Sequence, residues 1–197
     1  PMASHSVHYI TECGYRTAAY SKGEVFMEQL GYIVGAEVRN RILLEYYRQW
    51  RFKHPNANDL VRVAEELSGI QLDWYKEYWV NTTKTIDYKI DSLWEENGVS
   101  KIRLKRIGQM PMPIDLQLTF KDGTSEMYYV PLNLMFGAKP NENASQKREL
   151  MEEWKWTHPT YVVEIKRRLT DLKAAEIDPS RRMADVDRKN NLLELNW

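Results

Sequence analysis

Apolar residues recur at helical spacing through the first 82 positions and at every second position over most of the remaining chain. That change of period organises the chain. The helical stretch contains four predicted elements. The first spans 24–34, with Phe26, Leu30, Ile33 and Val34 on one side and Gly35 as its C-terminal cap. The second spans 37–52, where Val38, Ile42, Tyr46 and Trp50 recur every four residues. Leu43 and Tyr47 widen that stripe, and the pattern predicts an aromatic side facing a core. Pro55 ends the run, because proline lacks an amide hydrogen and disfavours helix in His54 before it. Asn58 then reads as the N-cap of a third helix, 59–67, closed by Gly69. A short fourth helix, 72–79, carries Leu72, Trp74, Tyr75, Tyr78 and Trp79.

Beyond residue 83, strict alternation over 85–91, 101–105 and 114–120 predicts strands with one buried and one wet face. Lys121-Asp122-Gly123 predicts a hairpin into a strand at 125–132. Residues 137–149 read as a loop, and 154–156, 161–166 and 172–177 complete the strand set. The fold class is therefore α+β. A helical segment, residues 1–82, precedes an antiparallel β-sandwich, residues 83–197, with an irregular tail from 178 whose Leu192, Leu193 and Leu195 should dock.

Composition narrows the partners. Of 197 residues, 28 are basic and 28 acidic, which removes the basic excess expected of a nucleic-acid or anionic-membrane binder. No apolar run reaches spanning length, and there is no basic leader with an apolar core. Cys13 is the single cysteine, so no intrachain disulfide forms and the compartment stays unassigned. The first residue is Pro1, and the expectation is a processed form or part of a longer protein.

Candidate chemistry is sparse. His5, His8 and Glu12 would share a face on a helix, but a partly packed terminal segment is the preferred reading, and no metal ligand is assigned. The zinc motif H-E-x-x-H is absent. Arg103, Lys105 and Arg106 read as the solvated face of a strand, and Arg167-Arg168 and Arg181-Arg182 as surface charge. His158, before Pro159, has no visible partner.

One stretch carries more. Ala19-Tyr20-Ser21-Lys22-Gly23-Glu24-Val25-Phe26 reads as a loop turning into a helix, with a tyrosine just ahead of a Lys-Gly step. It resembles the Tyr-x-Lys-Gly segment of the aminopeptidase N family of zinc metallopeptidases, the gluzincin aminopeptidases. The likeness continues in family order. Leu44 to Lys53 resembles the family's next helix, and Ser68-Gly69, Leu72 and Trp79 the end of its catalytic domain. Pro113 to Gly123, Glu176 to Ser180, Met183 to Asp187 and Asn190-Asn191 resemble the following β-sandwich, closest to the bacterial branch.

The resemblance implies a parent that removes N-terminal residues from peptides with a zinc-bound water. It implies the end of a thermolysin-like catalytic domain followed by a sandwich. Tyr20 is its implied catalytic residue, a neutral phenol placed to stabilise the tetrahedral oxyanion. Gly23 would let the next helix start beside the site without Cβ interference. The family's zinc ligands, general base and Gly-Ala-Met-Glu-Asn motif lie upstream of the tyrosine and are not in this chain. Zinc is thus expected in the full-length parent and not in this chain alone, which should cleave nothing. The implied partners are a peptide substrate and the N-terminal half of the same protein, with no nucleic acid and no membrane. The alternative is a noncatalytic interaction module of helices plus sandwich, able to self-associate through an uncovered helical face.

Overall fold

The computed structural model describes residues 1–195; the last two positions of the predicted tail lie outside the described residues. The chain forms two compact units. One contains Pro1–Lys84 and Leu134–Glu142; the other contains Thr85–Asn133 and the chain from Asn143 onward. Helices fill the first and strands the second, the α+β arrangement that the change of period predicts.

In the helical unit, α1 (Glu12–Arg16) passes through one π-helical turn (Thr17–Ser21) into α2 (Lys22–Val34) without a break. Thr11 caps the start, its hydroxyl oxygen accepting from the Gly14 amide at 3.0 Å. The expected loop before Lys22 is therefore helix. Glu12, Arg16, Ala18 and Ala19 favour helix but bring no apolar stripe, so periodicity is silent there. Gly35, at φ 92°, separates α2 from α3 (Ala36–Trp50). α4 (Ala57–Ser68) begins at Asn56, not Asn58. Asn56 accepts from the Asn58 amide while Asp59 accepts from the Asn56 amide, both at 2.8 Å. The acid three residues on makes Asn56 the better cap, because two orphan amides are satisfied reciprocally. Gly69, in the left-handed region at φ 67°, closes α4, and α5 (Asp73–Asn81) comes next.

Phe26, Leu30, Val61, Tyr75 and Trp79 form the heart of this unit. The Phe26 and Tyr75 rings lie 4.8 Å apart, and the Tyr75 hydroxyl donates to the Phe26 carbonyl. Burial pushes the Tyr75 phenol well above its ordinary pKa. The stripe on α3 is narrower than its pattern predicts. Ile42 alone is fully buried, Val38, Tyr46 and Trp50 are half-buried, and Leu43 and Tyr47 are exposed. Apolar character widened the expected stripe, but the covered side of α3 is the one packed on α2 and α4.

The segment 134–142 returns to this unit from among the strands. Lys139 is 3% exposed, and its Nζ donates to the Tyr32 carbonyl in the last turn of α2 at 3.2 Å. Glu142 accepts from the Ala36 amide at the start of α3 at 3.0 Å. The two side chains lie 3.6 Å from each other. A cation thus meets the carbonyl end of one helix and an anion the amide end of the next, each favoured by the helix dipole. Lys139→Met should lower the stability of the helical unit by about 2–3 kcal/mol, because a buried ion pair and a helix-end bond go together. Urea denaturation combined with amide exchange in α2 and α3 reads this. A loss below about 0.5 kcal/mol would show that the pair holds nothing.

The second unit begins with β1 (Tyr88–Glu96) and β2 (Val99–Arg106), paired antiparallel through Asn97-Gly98. Both turn residues have positive φ, 53° and 77°, as a two-residue hairpin matching strand twist requires. Next come β3 (Ile114–Phe120), β4 (Ser125–Val130), β5 (Arg148–Leu150), β6 (Thr160–Ile165), β7 (Leu172–Ile177) and β8 (Leu192–Glu194). One sheet has the order β1-β2-β6 and the other β5-β4-β3-β7-β8. Every pairing is antiparallel except β4 with β5. Ile102, Leu104, Leu116, Phe120, Val163 and Ile177 are among the side chains sealed inside this unit.

Three expectations change here. Trp154-Lys155-Trp156 is not a strand: Trp154 makes one bridge to Leu132, and its indole N–H donates to the His158 carbonyl at 2.9 Å. Arg106 does not face solvent freely; its guanidinium lies 3.9 Å from the Trp156 ring and donates to the Gly108 carbonyl. The tail is not wholly irregular, since β8 pairs with β7. Gly108 has no substitute: an added Cβ would sit 2.4 Å from the Thr85 carbonyl oxygen and 2.5 Å from the Asp87 nitrogen. On the β3–β4 hairpin, Asp122 accepts from the Thr124 hydroxyl at 2.6 Å, the Thr124 amide at 2.9 Å and Arg167 at 2.6 Å. These bonds hold its carboxyl at about 2.

Candidate functional site

Tyr20 lies on the π turn that joins α1 to α2, and its side chain is 66% exposed. A π turn fits one extra residue into a helix and so re-aims the side chains along it. The nearest ring is Tyr15, 5.9 Å away and nearly perpendicular at 88°. Tyr15 in turn meets Tyr9 at 5.6 Å, and the Tyr9 hydroxyl donates to the Pro1 carbonyl at 3.0 Å. Hydrogen bonding with Tyr20, with a smaller charge contribution from it, raises the Tyr15 phenol above its ordinary pKa. The result is a short ladder of tyrosines open to solvent at its Tyr20 end.

Lys22 anchors the other side of the turn. Its Nζ donates to the Thr82 carbonyl just past α5 at 2.6 Å and lies 5.9 Å from the Trp79 ring centroid. Burial lowers its pKa. Sequence reasoning missed this anchor, since nothing local pairs position 22 with position 82. Within the chain itself, nothing crowds position 23. An added Cβ there would touch only Met2 Cε, at 4.0 Å, which is ordinary contact.

His5, His8 and Glu12 do not share a helix. His5 caps a 3-10 turn at Ser6–His8, its Nδ1 accepting from the Val7 amide at 3.4 Å, and Glu12 opens α1 after extended backbone. Among the described residues, no group of three or more His, Cys, Asp or Glu is placed to hold a metal ion. The residues around Tyr20 therefore do not fit a zinc centre by themselves, and no chemical step through zinc can be derived from this chain. An exposed neutral phenol can donate one hydrogen bond to a charge developing nearby. No helix among the described residues is long and apolar enough to cross a membrane.

No protein-family model matches the chain, and no curated protein matches it at significant similarity.

Proposed function

We propose that this chain is the C-terminal part of a zinc-dependent aminopeptidase, in which Tyr20 donates a hydrogen bond to the oxyanion formed at the scissile carbonyl. The observation that carries this reading is Tyr20 itself. It stands in the Tyr-x-Lys-Gly pattern, lies on a π turn, and has its ring mostly in the open. A hydroxyl sealed in the helical core could not reach a substrate. Lys22 supports the assignment by tying the turn to α5, since a donor held before the reaction need not reorganise as charge appears. The metal, its ligands and the general base belong to an upstream half in this proposal, which also contributes most of the substrate pocket.

The test joins this chain to the polypeptide encoded immediately upstream of it. The joined protein should bind one equivalent of zinc by elemental analysis and hydrolyse aminoacyl chromogenic substrates, and this chain alone should do neither. An upstream frame without H-E-x-x-H, or a joined protein with zinc but no aminopeptidase turnover, sinks the proposal.

A second reading is favoured by one observation. Leu44, Tyr47 and Phe52 of the helical unit are 50%, 60% and 99% exposed. Large apolar side chains left open together suit a noncatalytic interaction module.

A further inference from the structure

Tyr15 and Tyr20 meet because of the π turn between them. In an unbroken α-helix, residues four apart share a face, whereas residues five apart lie about 140° from one another. The π turn, Thr17–Ser21, adds one residue to the helix and so brings the fifth position to where the fourth would lie. The two rings accordingly meet edge to face, 5.9 Å apart at 88°. Tyr9 extends the ladder, 5.6 Å from Tyr15, and is itself tied to the Pro1 carbonyl. Hydrogen bonding between the Tyr15 and Tyr20 phenols is the largest cause of the raised Tyr15 pKa. Tyr15 holds its proton in that pair, so it donates and the Tyr20 oxygen accepts. The Tyr20 hydroxyl hydrogen is then left for a second acceptor.

We propose that Tyr15 is a positioning residue for Tyr20: its hydroxyl donates to the Tyr20 oxygen, and its ring holds the Tyr20 ring in one orientation. This role rests on the peptidase reading, in which Tyr20 donates to the oxyanion. Two effects follow from the contact. A phenol whose oxygen already accepts a hydrogen bond is the stronger donor, because bonds in a chain polarise one another. An exposed tyrosine also has several staggered rotamers open to it, and the edge of Tyr15 removes that freedom before substrate arrives. The division of labour is clear in the geometry. Lys22 ties the backbone of the turn to the end of α5, and Tyr15 sets the side chain that the turn carries. Tyr15 touches no reacting atom and passes no proton on; the Tyr20 proton stays on Tyr20.

The bond itself is tested in this chain alone, by carbon-13 NMR of the Tyr15 ζ-carbon through an alkaline titration. Tyr20→Phe removes the acceptor and should move the Tyr15 titration back down toward the ordinary value of about 10. An unmoved titration overturns the proposal. The role is tested in the protein joined to its upstream half. Tyr15→Phe keeps the ring and should lower kcat about three- to tenfold, the span of one ordinary hydrogen bond, with KM and zinc content unchanged. Added to Tyr20→Phe it should cost nothing more, because its effect runs through the Tyr20 oxygen. An equal loss in both backgrounds, or a change confined to KM, overturns the role. A loss with Tyr20→Phe but none with Tyr15→Phe removes this role alone. If Tyr20→Phe itself leaves turnover unchanged, the peptidase reading falls and the role of Tyr15 falls with it.

Discussion

Asp178→Ala should cost the strand unit about 3–5 kcal/mol, the loss typical of removing one partner from a buried ion pair. Asp178 is fully buried where the chain leaves β7, and its carboxylate serves several donors at once. It accepts from the Ser180 hydroxyl at 2.6 Å, the Met183 amide at 2.8 Å and Arg188 Nη1 at 3.0 Å. Arg188 also reaches the Asp178 carbonyl at 3.2 Å, so one arginine closes the loop between β7 and β8. Alanine would strand the Met183 amide in a buried place and leave Arg188 without its anion. It would also have to adopt φ 50°, a left-handed conformation that aspartate tolerates better than alanine. Asp178→Asn keeps the shape and part of the bonding, so it should lose clearly less. Amide exchange in the β7–β8 pair under native conditions measures the change locally. A loss under about 1 kcal/mol would mean that Asp178 does not hold this loop.

Tyr20→Phe in the protein joined to its upstream half should cut turnover by about 10²–10³, the usual effect of removing one oxyanion donor. Its zinc content should stay the same, since the phenol is assigned no ligand role. The fold should be unaffected as well, because a side chain 66% exposed contributes little packing. Substrate affinity should change little, because the lost bond strengthens only as the oxyanion forms. A fall in kcat with KM and thermal stability constant therefore separates a donor from a structural tyrosine. Unchanged turnover would remove Tyr20 from the chemistry.

The legible parts of the fold are those where one local signal is enough. β3 occupies 114–120 as its alternation predicts, and Gly35 and Gly69 end their helices as caps with positive φ. Where the chain departs from expectation, the deciding partner lies elsewhere in the sequence or two local cues compete. Glu12 to Ser21 is helical without an apolar stripe. Asn56 rather than Asn58 caps α4 because Asp59 answers it, and Asn97-Gly98, a hairpin signal in the sequence, turns β1 into β2. Trp154 and Arg106 read as strand and surface because the bonds that define them run to His158, Gly108 and Trp156. Of the candidate site, motif likeness picks out Tyr20 alone. Tyr15 and the Lys22–Thr82 bond become visible only once the helix register is known.

The Lys139–Glu142 plug has a bearing on how the polypeptide matures. Tyr32 and Lys139 are separated by 107 positions, so the joint between α2 and α3 waits for a stretch made long after both helices. On a ribosome, the four long helices emerge with that joint open and its polar ends in water. They become a finished unit only when the strands up to β4 have also been synthesised. A gene cut after residue 84 would encode every long helix and still omit the piece that seals them.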